Sequence, residues 1–176
     1  NDLGSPGKAN GSLRSSAPPA LGHLSHSPAV PTSKEPVTVS AKVSGAADSV
    51  KLVYRQDSAT NDRDWKSLTM NDNGSGGDSR AGDGKWSAQI LDQGIDNRIV
   101  QFYVLAKNGG QEVTLPARAP EIPAMYVVDD AEIDTDVTSY RVVVSAYDLR
   151  SMTSGSSAAW EWKFPNLSNH YKKMTL

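Results

Sequence analysis

Apolar and polar side chains alternate one by one through most of the middle of this chain. From Pro36, "PVTVSAKV" sets Val37, Val39, Ala41 and Val43 against Thr38, Ser40 and Lys42. A period of two predicts a strand with one buried face. "SVKLVYR" repeats the pattern with Val50, Leu52 and Tyr54, and "WKSLTM" offers Trp65, Leu68 and Met70. "KWSAQIL" follows with Trp86, Ala88 and Ile90, and "RIVQFYVLAK", carrying Ile99, Phe102 and Val104, reads as a central strand. "QEVTLP" and "AMYVVDD" continue the series. Between them, "NGG" at residues 108–110 predicts a hairpin turn, because Asn and Gly accept positive φ. Strands at a spacing of about ten residues, with turn signals between them and no long helical stripe, predict an all-β chain folded as a β-sandwich. The sandwich is expected over residues 36–130, with Leu21 as an alternative start.

The flanks read differently. Residues 1–35 are rich in Ser, Pro, Gly and Ala and carry no helical stripe. Such a composition buries too little surface to offset the entropy of ordering, so an extended linker or assembly arm is expected. The exception is "ALGHLSHSPAV", where Leu21, Leu24 and Val30 suit a first edge strand. Order in the arm would come from packing, for instance by strand addition to an exposed sheet edge of an identical subunit. At the other end, Asp129, Asp130, Glu132, Asp134 and Asp136 crowd a segment that reads as a solvated acidic hinge. Residues 131–176 are then a short mixed segment. "SYRVVVSA" is expected as a strand, and "AYDLRSM" as a short helix with Leu149 and Met152 inward. The rest looks like the opening of a further domain, and the chain reads as an internal piece or processed product of a longer protein.

Composition narrows the class. Hydrophobic residues make up 38% of 176, below the usual globular share, which agrees with a core confined to part of the length. A net charge of −2 offers no basic field for nucleic acid or anionic lipid. No apolar run approaches the ~20 residues of a membrane-spanning helix. The chain has no cysteine, which removes disulfides and thiolate metal sites.

The chemically suggestive stretch is "MNDNGSGGDSRAGDGKW", residues 70–86, with three aspartates, two asparagines and five glycines between apolar runs. Calcium takes six to eight hard oxygens, as a rough guide, from carboxylates, amides and carbonyls. Asp72, Asn73, Asp78 and Asp83 are the candidate ligands, and the glycines let carbonyls turn inward. The spacing is not that of an EF-hand, since no Glu closes it. The competing reading is a plain polar connection, with Asp83 and Gly84 as its tight turn before Trp86. That reading is preferred, so no cofactor is required and calcium is the one candidate.

Catalytic constellations are missing from the sequence. His23 and His26 fall in linker-like sequence and His170 near the last residue, so polar linker histidines are expected. No G-x-S-x-G elbow and no phosphate-binding G-x-x-x-x-G-K-[ST] occur. The acids of the hinge are consecutive rather than set across a cleft. Trp65, Trp86, Trp160 and Trp162 raise a carbohydrate-binding alternative, although Trp86 lies on an alternating strand and suits a core. Asn10, Asn73 and Asn166 open matches to the N-glycosylation pattern, at a frequency chance would supply.

"HSPAVPTSKEPVTVSAKV", "VKLVYR", the glycine–aspartate string of residues 72–86 and "VQFYVLAKNGG" together resemble an immunoglobulin-like or fibronectin-III-like module of large secreted bacterial proteins. "NDLGSPGKAN" is similar to the closing segment of a lamin-tail domain, and "YRVVVSAYDLRSM" to the first strand and helix of a CotH-type kinase-like domain. The middle match covers about half the chain and the end matches are short. The resemblance implies an extracellular or cell-surface, non-enzymatic module that spaces or displays neighbouring domains of the same polypeptide. The alternatives are a filament or sheath protomer assembling through its N-terminal segment, and a carbohydrate-binding module.

Overall fold

A computed structural model describes residues 17–58, 60, 64–91, 93–94, 96–131, 142–153 and 174–175. The alternating segments form strands in the expected order: β1 (Ala20–Ser27), β2 (Val37–Ser44), β3 (Ser49–Gln56), β4 (Lys66–Thr69), β5 (Lys85–Ile90), β6 (Ile99–Asn108), β7 (Gln111–Leu115) and β8 (Ala124–Val127). They make two antiparallel sheets. One has the order β1-β2-β5, the other β4-β3-β6-β7, with β8 also paired to β6. The chain changes sheet after β2, β4 and β5, so neither sheet is a simple meander.

The two sheets close on one core. Val37, Val39 and Ala41 of β2 and Ala88 and Ile90 of β5 meet Val50 and Leu52 of β3 and Val100, Phe102, Val104 and Ala106 of β6, with Tyr126 and Val128 completing it. These are the alternate positions of each strand, as the pleat requires. Fully burying one such side chain contributes about 1.5–3 kcal/mol. Trp86 is partly buried and packs against this core.

Local chemistry explains the connections. The β6–β7 hairpin closes through Gly109 and Gly110, both at positive φ (52° and 81°), with Asn108 paired to Gln111. Two successive positive φ values match the twist of the flanking strands. β6 is long enough to pair β7 at residues 104–108 and β8 at residues 99–102 on the same edge. Pro116, Pro120 and Pro123 lie between these two short partners. Lacking an N–H, they cannot continue a ladder.

The structure revises the reading of the arm. Residues 20–27 pair with β2 of the same chain, with the register shifting between Gly22 and Ser25. The bulge changes which residues face inward, so Leu21 and Leu24 both pack on the core. The strand ends before Val30, which is 38% exposed. His26 is not a linker histidine. Its ring stacks on Tyr126 at 5.2 Å and meets Phe102 edge-on at 5.6 Å.

Beyond the sandwich lie β9 (Val143–Val144), α1 (Ala146–Thr153) and β10 (Met174–Thr175), which pairs with β9. Ser145 caps α1: its Oγ accepts the Asp148 N–H at 3.1 Å and its hydroxyl donates to the Asp148 carboxylate at 2.7 Å. A serine hydroxyl that accepts the N–H three residues on is a common helix N-cap. Leu149 is not inward as expected; it is 53% exposed. Glu132, Asp134, Asp136, Trp160, Trp162, His170, Asn10 and Asn166 lie outside the described residues, as does the side chain of Met152. Among the described residues, no helix is long and apolar enough to cross a membrane.

Candidate functional site

The β4–β5 connection carries the candidate ligands across from one sheet to the other. Met70, fully buried, anchors its start, and Asn71 bridges Ser87 through two 2.9 Å backbone bonds. The loop then folds over the outer face of the β2–β5 pair. Gly77 lies against Thr38 and Gln89, which are cross-strand partners joined by a 3.1 Å hydrogen bond. Lys42 donates to the Asp83 carbonyl at 2.8 Å, and the Val43 N–H to the Gly84 carbonyl at 2.9 Å.

This path gathers three of the four candidate residues. Carboxylate oxygens of Asp72, Asp78 and Asp83 lie within 4.8 Å of one another. The fourth, Asn73, is turned into its own local turn, where its Oδ1 accepts the Ser75 N–H and hydroxyl at 3.1 and 2.7 Å. Three carboxylates in that space repel one another, and the loop answers with its own backbone. Asp72 accepts the N–H groups of Asp83 and Gly84 at 3.2 and 2.9 Å. Asp78 accepts those of Gly74 and Arg80 at 2.6 and 3.2 Å, and Asp83 that of Lys85 at 2.8 Å. Each carboxylate keeps lone pairs beyond those used. An all-oxygen cluster of this kind can hold a hard divalent cation such as calcium. The same bonds also make a complete turn without one.

Two acids elsewhere tie segments together. Asp130, expected in a solvated hinge, accepts the Ser33 N–H and hydroxyl at 2.6 and 2.8 Å, while the Asp129 N–H donates to the Pro31 carbonyl. The end of the sandwich is thereby fastened to the β1–β2 connection. Asp57, just after β3, is 4% exposed and accepts from Gln101 Nε2 at 2.9 Å and from the Ala146 N–H. Sequence reading passed over Asp57; its only signal was an acidic residue directly after a strongly alternating strand.

These environments shift the carboxyl groups in opposite directions. The Gly74 N–H, opposed by partial burial, holds Asp78 below the usual carboxylate range, and the Ser33 N–H and hydroxyl do the same for Asp130. Burial pushes Asp57 up, against the Ala146 N–H and the Arg55 charge. For the lowered pair, the folded state favours the ionised form. Their stabilisation is present above the ordinary carboxylate pKa of about 4 and is lost as pH falls below it. Asp57 works the other way, since its stabilisation is lost as pH rises above that value. Urea midpoints measured from about pH 5 down to about pH 2 should therefore fall. Asp78→Asn and Asp130→Asn should each flatten that decline, whereas an unchanged slope would mean the bonds do not favour the ionised groups.

Fold and loop together define an all-β sandwich domain with an acidic, glycine-rich crossing loop on its outer face. Comparison with protein-family models finds no match, and comparison with curated proteins finds no relative.

Proposed function

We propose that this chain is a non-catalytic structural module: a β-sandwich that spaces or displays neighbouring domains of an extracellular or cell-surface protein. The observation that carries the reading is how the sandwich holds its two ends. β1 pairs in cis with β2, and Asn108 Nδ2 grips the Ala17 carbonyl at 2.8 Å. At the far end, Asp130 grips Ser33 through two bonds. Chain entering and chain leaving are both fastened to the sandwich, which suits transmission of position from one neighbour to the next. The resemblance to immunoglobulin-like and fibronectin-III-like modules of secreted bacterial proteins supports the same reading.

The cis pairing of β1 favours the spacer over a filament protomer, because the strand an assembly arm would donate is already seated at home. Size-exclusion chromatography with light scattering should return a monomer, with and without residues 1–16, up to high micromolar concentration. A concentration-dependent oligomer lost on that truncation would replace the spacer with the assembly reading.

The acidic loop serves this role as a self-supporting turn. Melting temperature should be the same, within about 1 °C, in millimolar calcium and in chelator. A calcium-dependent rise of several degrees would make Asp72, Asp78 and Asp83 a cation site that rigidifies the module.

A further inference from the structure

The outer face of the second sheet is buried at one end, and the chain that follows the sandwich meets it there. Gln101 alternates with the core residues Val100 and Phe102, so it points away from the core. A residue there should be wet, yet Gln101 is 2% exposed and Asp57 beside it 4%. Asp57 is fixed on the sandwich side twice over, through its backbone and through its carboxylate. Its backbone N–H donates to the Ile99 carbonyl at 2.8 Å, and its Oδ1 accepts from Gln101 Nε2. Gln101 is oriented in turn by Arg55, whose Nε donates to Gln101 Oε1 at 2.8 Å. The Arg55 guanidinium sits 4.3 Å over the Trp65 ring, which meets Tyr103 edge-on at 5.1 Å.

The remaining oxygen, Oδ2, accepts the first N–H of α1, that of Ala146. The start of a helix has orphan N–H groups that need outside acceptors, and it carries partial positive charge. In α1 the Asp148 N–H is taken by Ser145 Oγ and the Leu149 N–H by the Ser145 carbonyl. The Ala146 N–H is the one given to the sandwich. A buried carboxylate that accepts the first N–H of a helix makes a directional bond, and it restrains angle as well as distance.

We propose that Asp57 is a latch that sets the orientation of the segment beginning at β9 against the sandwich, so that the sandwich transmits a fixed angle to that segment. The partner of this surface is the N-terminal turn of the chain's own helix α1. The inference deepens the spacer reading and rests on it only for its purpose, since the joint itself is a matter of geometry.

The absence of cysteine makes the test clean. Spin labels at Lys51→Cys, on β3, and Leu149→Cys, on the exposed side of α1, report the sandwich-to-helix distance by pulsed electron resonance. The otherwise unaltered chain should give one narrow distribution. Asp57→Ala, and the near-isosteric Asp57→Asn that guards against a folding failure, should both broaden it. Amide exchange at Ala146 should speed up by about tenfold or more in Asp57→Ala, as expected for loss of a bond to a charged group, with β6 amides unchanged. A broad distribution without the Asp57 change overturns the latch, as do variants that stay narrow with unaltered exchange. So does an equal loss of protection across β6 in Asp57→Asn, which would make Asp57 a support of the sandwich alone. A loose joint in a monomeric chain ends the latch and leaves the spacer reading standing, whereas self-association ends the spacer reading whatever the distance shows.

Discussion

Phe102→Ala should cost the sandwich about 3–5 kcal/mol, enough to lower its melting temperature by well over ~10 °C. Phe102 is 1% exposed on β6 and packs against the stacked pair of rings His26, met edge-on at 5.6 Å, and Tyr126, tilted at 5.8 Å. Removing it leaves a cavity between two sheets whose strands are held by their ladders and cannot collapse inward. Losing several kcal/mol from a domain of ordinary stability would leave it barely folded. Urea denaturation followed by tryptophan fluorescence measures the effect. Leu91→Ala, at a residue 73% exposed, should change the midpoint by no more than about 0.5 kcal/mol equivalent. A Phe102→Ala loss below ~1 kcal/mol would mean that the sheets do not pack around this ring.

The second large effect is expected at a glycine. Gly77 has φ +99°, and a Cβ there would lie 2.8 Å from Thr38 Cγ2 and 2.9 Å from Gln89 Cγ. Gly77→Ala therefore meets backbone strain and a clash with a β-branched side chain held in a sheet, together costing about 2–4 kcal/mol. Gly82 is the matched control. It has a similar φ of +74°, but nothing lies within 4 Å of where its Cβ would stand, so Gly82→Ala should cost only about 1–2 kcal/mol. Thermal melts of the two variants decide the matter. Equal losses would mean that the loop does not rest on Thr38 and Gln89, and the packing of the acidic turn on the β2–β5 pair would be wrong.

Much of the sandwich was legible in the residue order because strands write their faces in a period of two. Val37, Val39 and Ala41, then Val50 and Leu52, then Phe102 and Val104, were expected inside and are buried. The hairpin at Gly109 and Gly110 was legible because few other residues tolerate two positive φ values in a row. β1 was only half legible. Its bulge shifts the register between Gly22 and Ser25, so Leu21 and Leu24 share a face that a strict alternation would split between two. The same shift turned His26 from an apparent linker residue into a ring stacked on Tyr126. Buried polar partners were not legible at all. Gln93 is fully buried, accepting the Tyr126 hydroxyl at 2.6 Å and donating to the Ile90 carbonyl at 2.5 Å, and no local pattern distinguishes it from a surface glutamine. For the loop, the sequence named the oxygens; which of them converge depended on the fold, and Asn73 was drawn aside by Ser75.

Sequence by itself determined the class of this protein: alternating side chains, spaced turns, no cysteine and no long apolar run admit a sandwich of short strands and little else. These are properties of neighbouring residues, and local sterics and hydration read them directly. Tertiary structure decided which strands share a sheet, that Asp72, Asp78 and Asp83 crowd together while Asn73 does not, and that Asp130 and Asp57 fasten segments about 90 residues away. The physical reason is that a hydrogen bond depends on distance and angle, and both are set only when separate stretches of chain are brought together by the burial of a shared core.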